Sequence, residues 1–409
     1  MIVKQYIKDF EKLGFGMFVH FGLYSMFGEG EWNKEENHLD PEDYYPKAKD
    51  FNPAPDWAEK LVATAKKAGC KYITLTTRHH EGYSLFDTCG LNEYDSMHSA
   101  CKRDLVREFV DACNAQGIIP FFYHTLLDWH EESYQKDFKA YLVYLRKSVE
   151  LLCKNYGKIG GIWFDGMWNK PNDDWEEDEL YSMIRSYQPE AMIINNTGLD
   201  ARGALGHIEL DSVTFERGRP GVINQEGAPK YVASEMCQTV NDHWGYAEKD
   251  FCYKSLSDLI EDFASCRRYG ANFLLNVGPM ANGYLRPLDK ALLEEVGNWE
   301  KISAEALYLP RPSGIEVESK PEDFILQNGN TYYLFCHKLP MQTNPNVVLF
   351  KESNMIDMFK FDKKIKSVSW LDNGQEIPFE QKDGTTTVRC THYKYGTNLV
   401  VRIAKIVTE

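Results

Sequence analysis

Short apolar or β-branched runs alternate with amphipathic segments along the first three hundred residues. This alternation is typical of a chain that passes repeatedly from a strand to a helix and back. We predict eight strands, namely Phe15–Val19, Tyr72–Thr76, Ile118–Tyr123, Gly160–Phe164, Ala191–Ile194, Ser212–Phe215, Tyr231–Ser234 and Asn272–Val277.

Helical periodicity occupies most of the intervals between these strands. From Trp57 to Ala68, apolar residues recur every three to four positions, and Gly69 follows as a stop. Further helices are predicted at Lys102–Gln116, Tyr134–Tyr156, Asp174–Tyr187 and Ser255–Tyr269. Strands separated by helices of this length must pair in parallel through right-handed crossovers, so we predict an α/β fold, a closed (β/α)8-like barrel of the TIM type. Between residues 196 and 250 helices are hard to discern.

The pattern changes after residue 308. The segment Leu309–Gly314 is punctuated by proline and glycine, as a linker would be. Short β-type runs follow it at Thr331–Phe335, Asn346–Phe350 and Asn398–Ile403. Asn328-Gly329 and Asp383-Gly384 have the composition of hairpin turns. We therefore predict two domains, a catalytic barrel over residues 1–308 and an all-β sandwich over residues 309–409.

Charge and cysteine content narrow the class of protein. The 46 Lys and Arg against 61 Asp and Glu leave a net charge of −15, which argues against nucleic-acid and anionic-membrane partners. No apolar run approaches the ~18 residues of a membrane span, and the N-terminus has no continuous apolar signal core. The ten cysteines include no Cys-x-x-Cys pair. We expect reduced thiols and a cytoplasmic location, and a mature secreted form stays open.

Polar residues follow every predicted barrel strand. Because the active sites of parallel barrels lie at the carboxyl ends of the strands, this arrangement predicts a site at one mouth. In chain order, the strand ends carry His20, His79-His80, His124, Asp165, Asn195-Asn196, Glu216, Glu235 and Asn276.

Two of these residues are carboxylates that could share a reaction. Asp165 follows a buried run that includes Trp163 and Phe164, so it must be solvated, paired or functional; capping the next helix is the structural alternative. Glu216 is flanked by apolar residues, and its alternative is an ion pair with Arg217 or Arg219. As partners on one rim, the two carboxyl groups could divide the roles of nucleophile and acid/base.

The adjacent histidines favour hydrogen bonding over metal binding. Neighbouring side chains on an extended segment point to opposite faces, so His79 and His80 are poorly placed to chelate one ion together. No His-x-His or His-Glu-x-x-His motif is present. Imidazole both donates and accepts, which suits a polyhydroxylated ligand. A structural pair at a strand end is the alternative.

A set of motifs, in order along the chain, resembles the glycoside hydrolase family 29 α-L-fucosidases. The resemblance covers residues 10–310. Its pieces are Gly14–Gly22, Gly30-Glu31-Trp32, Trp57 with Ala68–Tyr72, Thr76–Tyr83, Arg103–Val106, Trp163–Gly166, Trp244-Gly245-Tyr246 and Gly270–Pro279.

The resemblance implies a retaining exo-hydrolase of terminal α-L-fucosides that needs no metal or organic cofactor. It implies that Asp165 is the nucleophile and Glu216 the acid/base, with Glu235 in reserve and Glu209 and Glu226 behind it. The residues implied to hold the fucose ring are His20, Glu31, Trp32, His79, His80, Tyr123 and Trp163. The implied partner is a fucosylated oligosaccharide or glycoconjugate, and a homo-oligomer is left open.

The chain departs from the family pattern at the rim. The arginine that usually follows the strand-five Asn is replaced by Thr197, so Arg202, Arg217 or Arg219 would have to supply the guanidinium, or the site does without it. Two other functions remain as alternatives. One is a non-catalytic fucose-binding relative, and the other is a metal-dependent barrel hydrolase with His20, His79 and Asp165 as ligands.

Overall fold

The computed structural model describes residues 1–197, 201–223, 225, 228–342 and 355–409. Eight parallel strands close into a barrel in chain order, with the eighth strand paired to the first. They are β1 (Phe15–Val19), β2 (Tyr72–Arg78), β3 (Ile119–Thr125), β4 (Gly161–Asp165), β5 (Met192–Asn195), β6 (Ser212–Glu216), β7 (Ala233–Thr239) and β8 (Asn272–Val277). The predicted barrel is confirmed.

Helices cover the barrel after most strands. The described helices are α1 (Gln5–Leu13), α2 (Asn33–Glu36), α3 (Pro41–Tyr44), α4 (Trp57–Lys67), α5 (Leu105–Gln116), α6 (Ser133–Lys136), α7 (Phe138–Asn155), α8 (Glu177–Tyr187), α9 (Leu256–Arg268) and α10 (Pro287–Leu307). The predicted helix Tyr134–Tyr156 is two helices, broken where Asp137 caps the start of α7 through a hydrogen bond from Ala140 N. Among the described residues between β5 and β7 there is no helix, in the stretch where the sequence showed no clear helical pattern.

The bounds of β7 differ from the prediction. The sequence placed this strand at Tyr231–Ser234, with Glu235 as the first residue beyond its end. In the structure β7 begins at Ala233 and continues to Thr239, so Glu235 is the third residue of the strand. Ser234 and Glu235, the polar residues at which the predicted strand ended, are both buried within β7, and Glu235 is 1% exposed.

The helix α1 lies at the amino-terminal end of the barrel, and the sequence analysis missed it. Its residues Ile7 and Phe10 belong to the same buried cluster as residues inside the barrel. The Phe10 ring lies 5.6 Å from the Tyr72 ring and 5.8 Å from the Phe121 ring, measured between centroids. Since Phe18, Tyr123 and Trp163 also belong to this cluster, the barrel interior is filled from α1 to the opposite mouth.

The C-terminal region is a sandwich of two antiparallel sheets. One has five strands in the order β13-β16-β11-β10-β9, and the other has three in the order β12-β15-β14. Their bounds are β9 (Arg311–Glu316), β10 (Phe324–Asn328), β11 (Thr331–His337), β12 (Ile356–Lys360), β13 (Ile365–Trp370), β14 (Phe379–Lys382), β15 (Thr385–Arg389) and β16 (Val401–Thr408). Asn328-Gly329 and Asp383-Gly384 lie at the hairpins β10–β11 and β14–β15, as predicted. The predicted run Asn346–Phe350 lies outside the described residues.

The chain forms two compact units. The first contains residues 1–254 and 272–294, and the second contains residues 255–271 and 295–409. The second unit therefore includes α9 and much of α10 as well as the sandwich, whereas the predicted boundary at residue 308 follows the change from helix to strand. All ten cysteines are free. No helix in the described part of the chain is both long and apolar enough to cross a membrane.

Candidate active site

The carboxyl ends of the barrel strands form a pocket that contains both predicted carboxylates. Asp165 is the last residue of β4 and Glu216 the last residue of β6. The pocket is lined by Phe18, His20, Trp32, His79, His80, Tyr123, Trp163, Asp165, Trp168, Glu216 and Trp244. Eight of the nine residues named as catalytic or sugar-binding candidates, leaving aside the reserve, therefore line one cavity, and the ninth, Glu31, does not.

Asp165 is held by three hydrogen-bond donors and remains accessible from the pocket. Tyr123 Oη donates to Oδ2 at 3.2 Å, while Trp168 Nε1 and Asn196 Nδ2 each donate to Oδ1 at 3.3 Å. The side chain is 17% exposed. Burial raises the pKa of Asp165 above its usual value, and these donors oppose that rise because they stabilise the charged form. The Asp165 side chain does not cap the short helical turn that follows, which starts at Gly166.

Gly166 allows the chain to turn back immediately after the carboxylate. Its φ of +100° lies in the region that favours glycine. A Cβ at this position would lie 2.7 Å from Leu127 Cβ, closer than packed carbon atoms come. The turn brings Trp168 back over the strand end, where its indole nitrogen reaches Asp165.

One amide connects the two carboxylates. Asn196 Nδ2 donates to Glu216 Oε2 at 2.6 Å and to Asp165 Oδ1 at 3.3 Å. The hydroxyl of Thr214 donates to Asn196 Oδ1 at 2.9 Å, which fixes the amide with its nitrogen toward the carboxylates. Because one nitrogen reaches both, the two oxygens are separated by at most about 5.9 Å, the sum of those two hydrogen-bond lengths.

The environment of Glu216 favours its protonated form. Burial, followed by the negative charge of Asp165, raises the pKa of Glu216 to about 7. The hydrogen bond from Asn196 and the charges of Arg217 and Arg202 act in the opposite direction. Glu216 therefore has the pKa that an acid needs near neutral pH, whereas Asp165 has three donors that stabilise its charged form.

Glu235, the reserve acid, lies in the barrel interior and does not line the pocket. Its carboxylate accepts hydrogen bonds from Trp163 Nε1 at 3.0 Å and from Tyr72 Oη. Burial raises the pKa of Glu235 to about 7. The hydrogen bond from Trp163 shows that Glu235 holds the indole ring of Trp163 in position from inside the barrel. Glu209 is 45% exposed near Lys230, and Glu226 lies outside the described residues.

The three histidines of the pocket are neutral. Burial lowers the pKa of His20 and of His80 to about 3, and holds the pKa of His79 well below its usual value. The amide of Asn276 donates to Trp244 O at 2.7 Å, so its Oδ1, which lies 2.6 Å from His20 Nδ1, accepts the ring proton. His20 Nε2 is thereby left as an acceptor.

His80 and His79 each also have a ring nitrogen that makes no hydrogen bond within the described part of the chain. Thr125 donates its hydroxyl proton to Leu127 O, so its oxygen accepts from His80 Nδ1 at 2.7 Å. His80 Nε2 is thereby left as an acceptor, and this nitrogen lies 3.6 Å from Asp165 Oδ2. His79 Nδ1 is buried without a hydrogen-bond partner in the described part of the chain.

Aromatic rings form the rest of the wall. Trp32 lies 5.8 Å from Trp168 in a stacked arrangement and 5.1 Å edge-to-face from Trp129. Phe18 packs edge-on against Trp163 at 5.2 Å and against Trp244 at 5.9 Å. Such surfaces suit the apolar C–H faces of a small ring compound with polar substituents.

Glu31 and the candidate arginines do not line the pocket. Glu31 is buried, and its Oε2 accepts a hydrogen bond from Gly245 N at 2.7 Å, so it holds the loop that carries Trp244. Of the candidate arginines, Arg217 lies over the Trp244 ring, 5.1 Å from its centroid, and donates to Asp242 O. Arg202 donates to the backbone oxygen of Glu216 at 2.6 Å.

The sequence assigned no role in the site to Trp168, Trp244, Asn196 or Thr214. Asn196 had a signal, since it follows β5 directly, but its partners depend on the fold. Trp168 and Trp244 lie on loops that turn back to the pocket, and no periodic pattern indicates such a return.

A closed parallel barrel with a carboxyl pair, neutral histidines and aromatic walls at its mouth defines a hydrolase of the sugar-cleaving class. Comparison with known proteins specifies the family, because the family model described as Alpha-L-fucosidase matches residues 3–305. The chain belongs to the alpha-L-fucosidase family of glycoside hydrolases.

Individual relatives agree with this assignment. Tissue alpha-L-fucosidase of Bos taurus is 28% identical over 363 residues, which cover 80% of this chain and 74% of that protein. The solved structure of alpha-L-fucosidase isoenzyme 1 from Paenibacillus thiaminolyticus is 28% identical with a TM-score of 0.82, covering 99% of both chains. A Bacteroides thetaiotaomicron fucosidase, solved as a trapped covalent intermediate with 2-fluoro-fucosyl fluoride, shares the fold at 22% identity and a TM-score of 0.82, covering 99% and 96% of the two chains.

Proposed function

We propose that this protein removes terminal α-L-fucosyl residues from glycans with retention of anomeric configuration, using Asp165 as nucleophile and Glu216 as acid/base. The observation that carries the proposal is the shared amide of Asn196. Retaining enzymes hold their carboxyl groups about 5–5.5 Å apart and inverting enzymes about 6.5–9.5 Å. The upper limit of about 5.9 Å between Asp165 Oδ1 and Glu216 Oε2 supports the retaining spacing.

In the first step, an oxygen of Asp165 attacks the anomeric carbon as the bond to the leaving oxygen breaks. Glu216 transfers its proton to that oxygen, and the aglycone departs as an alcohol. A pKa of about 7 keeps a substantial fraction of Glu216 protonated at neutral pH. The product of this step is a glycosyl ester on Asp165.

In the second step, Glu216 acts as the base. The ester no longer carries the Asp165 charge, which is one cause of the raised pKa of Glu216, so that pKa falls once the intermediate forms. Glu216 then accepts a proton from water while the water oxygen attacks the anomeric carbon. Asp165 is released as a carboxylate and Glu216 is protonated again.

The wall of the pocket would orient the sugar. Neutral imidazoles of His20, His79 and His80 hydrogen-bond to hydroxyl groups without the desolvation cost of a buried cation. The rings of Phe18 and Trp163 offer an apolar surface to the methyl group and C–H faces of a 6-deoxy sugar.

Hydrolysis of 4-nitrophenyl α-L-fucoside, compared with α1,2-, α1,3- and α1,4-fucosylated oligosaccharides, tests this function. Proton NMR of the first product should show α-fucose before mutarotation. The variant Asp165→Gly removes the nucleophile and should lose at least about a thousandfold in kcat/KM. The matched control Asp173→Asn changes an exposed carboxylate on the same loop and should retain activity. Initial β-fucose, or an Asp165→Gly variant near wild type, would contradict the mechanism.

The two alternatives predict different results. A non-catalytic fucose-binding relative would bind fucose and release none from any fucoside, whereas membership of a hydrolase family and the presence of both carboxyls favour catalysis. A metal-dependent hydrolase would lose activity with EDTA. In the described part of the chain, His20, His79 and Asp165 do not bring their ligand atoms together as a metal site requires.

A further inference from the structure

The C-terminal sandwich contains a cluster of two thiols and a carboxylate between its sheets. Cys336 belongs to β11 in the five-stranded sheet, Asp357 to β12 in the three-stranded sheet, and Cys390 follows β15 directly. Cys336 and Asp357 are fully buried, and Cys390 is 5% exposed. Buried thiols are ordinary in a core, but a buried carboxylate loses its hydration and needs a group that compensates its charge.

The distances within the cluster match the edges of a zinc tetrahedron. The two Sγ atoms are 3.7 Å apart, and Asp357 Oδ2 lies 3.5 Å from Cys336 Sγ and 3.3 Å from Cys390 Sγ. Zinc bonds of about 2.3 Å to sulfur and 2.0–2.2 Å to oxygen place two tetrahedral sulfur ligands about 3.8 Å apart, and sulfur and oxygen about 3.6 Å apart. In the described part of the chain, this is the only group of three or more His, Cys, Asp and Glu residues whose ligand atoms all lie within 4.8 Å of one another.

A network of ion pairs on the side of Oδ1 orients the carboxylate of Asp357. Lys320 Nζ lies 3.3 Å from Asp357 Oδ1 and 3.2 Å from Asp323 Oδ2. Asp323 in turn accepts from the backbone nitrogen of His337 at 2.7 Å and lies 2.9 Å from its Nδ1. The Lys320 contact to Oδ1 is ionic and lacks hydrogen-bond geometry. It turns Oδ2 toward the thiols, as outer contacts orient the ligands of metal sites.

The charges of these three ligands also suit a divalent cation. Two thiolates and a carboxylate around Zn²⁺ carry a net charge of −1, and the ammonium of Lys320, which Asp357 shares with Asp323, offsets part of it. Binding replaces the two thiol protons, so one zinc ion taken up releases two protons to solvent. Sulfur ligands select zinc over magnesium or calcium, which prefer oxygen.

We propose that Cys336, Cys390 and Asp357 bind one structural Zn²⁺ that links the two sheets of the sandwich, with water in the fourth position. The site lies in the second compact unit and takes no part in hydrolysis. Zinc binding should raise the thermal unfolding temperature, because a ligand that binds only the folded state stabilises it.

Metal analysis of the full-length protein tests the proposal. Protein purified without chelator from zinc-supplemented cells should contain about one zinc per chain. Cys336→Ser and Cys390→Ser should each lower this content severalfold, whereas Cys113→Ser, a control at another buried thiol, should leave it unchanged. Fucosidase activity of the variants at low temperature should stay near wild type.

Cobalt titration of chelator-treated wild-type protein provides a measurement that does not depend on the folding of a variant. Co²⁺ should produce the thiolate charge-transfer band and the visible bands of a tetrahedral site, and Zn²⁺ should displace it. The proposal is overturned by wild-type protein that takes up neither metal, by cobalt bands that survive in the double serine variant, or by mass spectrometry that finds a Cys336–Cys390 disulfide.

Discussion

At the scale of single residues, the site depends on two carboxyl groups that differ in protonation. Glu216 has the pKa near 7 that an acid needs at neutral pH, and the donors around Asp165 oppose the rise in its pKa that burial causes. Both groups take a hydrogen bond from Asn196, whose orientation is fixed by Thr214. Four side chains therefore set the chemistry of the pocket.

The first prediction separates the acid role from the nucleophile role. Glu216→Ala removes the proton donor, so hydrolysis of natural glycans should fall by about 10²–10⁴-fold. An aryl fucoside with a good leaving group should lose less, and azide should restore its turnover as fucosyl azide. Glu209→Ala, which changes a half-exposed carboxylate outside the pocket, serves as control. Equal loss on both substrates without azide rescue would assign the acid elsewhere.

The second prediction concerns Asn196 and the pH profile. The wild-type kcat/KM should fall above about pH 7, because Glu216 must be protonated in the first step. The hydrogen bond from Asn196 lowers the pKa of both carboxyls, so Asn196→Ala should raise both values and shift each limb of the profile to higher pH. The loss of charge-assisted hydrogen bonds should also lower kcat roughly 10–100-fold. An Asn196→Ala profile that superimposes on wild type would show that the amide does not set these pKa values.

At the scale of elements, the sequence predicted the strands where they are apolar and failed where they bury polar groups. All eight barrel strands were found, and β1 and β8 have the predicted bounds. The end of β7 was missed because Ser234 and Glu235 interrupt the apolar run. The structure explains the burial of Glu235 by its hydrogen bonds to Tyr72 and Trp163, which no local pattern can reveal.

The difference between regular strands and irregular segments also explains which residues of the site the sequence predicted. Asp165 and Glu216 are the last residues of their strands and His20 directly follows β1, so the rule for parallel barrels locates all three at one mouth. The loops that return Trp168 and Trp244 to the pocket are irregular, and their course depends on long-range contacts such as the hydrogen bond from Gly245 to Glu31. Helix α10 was also missed, although Pro287 at its first position is a known start signal.

The third prediction follows from the position of Glu235 inside β7. Glu235→Gln can still accept from Trp163 through its amide oxygen and has no direct path to the leaving group. The variant should therefore retain most of its activity on both glycans and aryl fucosides, with no azide effect. A loss comparable to that of Glu216→Ala, with azide rescue, would make Glu235 the acid/base.

At the scale of the whole molecule, burial of carboxyl groups makes stability depend on pH. Burial raises the pKa of Glu81 to about 8 and those of Glu216 and Glu235 to about 7. In the unfolded chain these groups ionise near pH 4.3, so near neutrality the folded state binds more protons. Stability from these groups is complete below pH 4.3 and is lost as pH rises through 7 to 8.

The fourth prediction is a fall in the free energy of unfolding between pH 7.5 and pH 8.5. The buried histidines contribute little in this window, because they are neutral when folded and, with an unfolded pKa of about 6.5, mostly neutral when unfolded. Urea unfolding across the window should show the decrease. Glu81→Gln preserves the shape of the side chain that accepts from Tyr44 and Leu23, and it should flatten the slope, whereas Glu93→Gln at an exposed position should not. An unchanged slope in Glu81→Gln would contradict this account.

The pocket is closed at its inner end. Phe18, Tyr123 and Trp163 belong to a buried cluster that extends through the barrel to α1. A sugar unit enters and exits by the same opening, and the aglycone blocks that opening until it departs. Under the proposed mechanism we therefore expect the alcohol to leave first and the monosaccharide last. We also expect an alcohol that enters between these two steps to compete with water, and free fucose to compete with the substrate for the single opening.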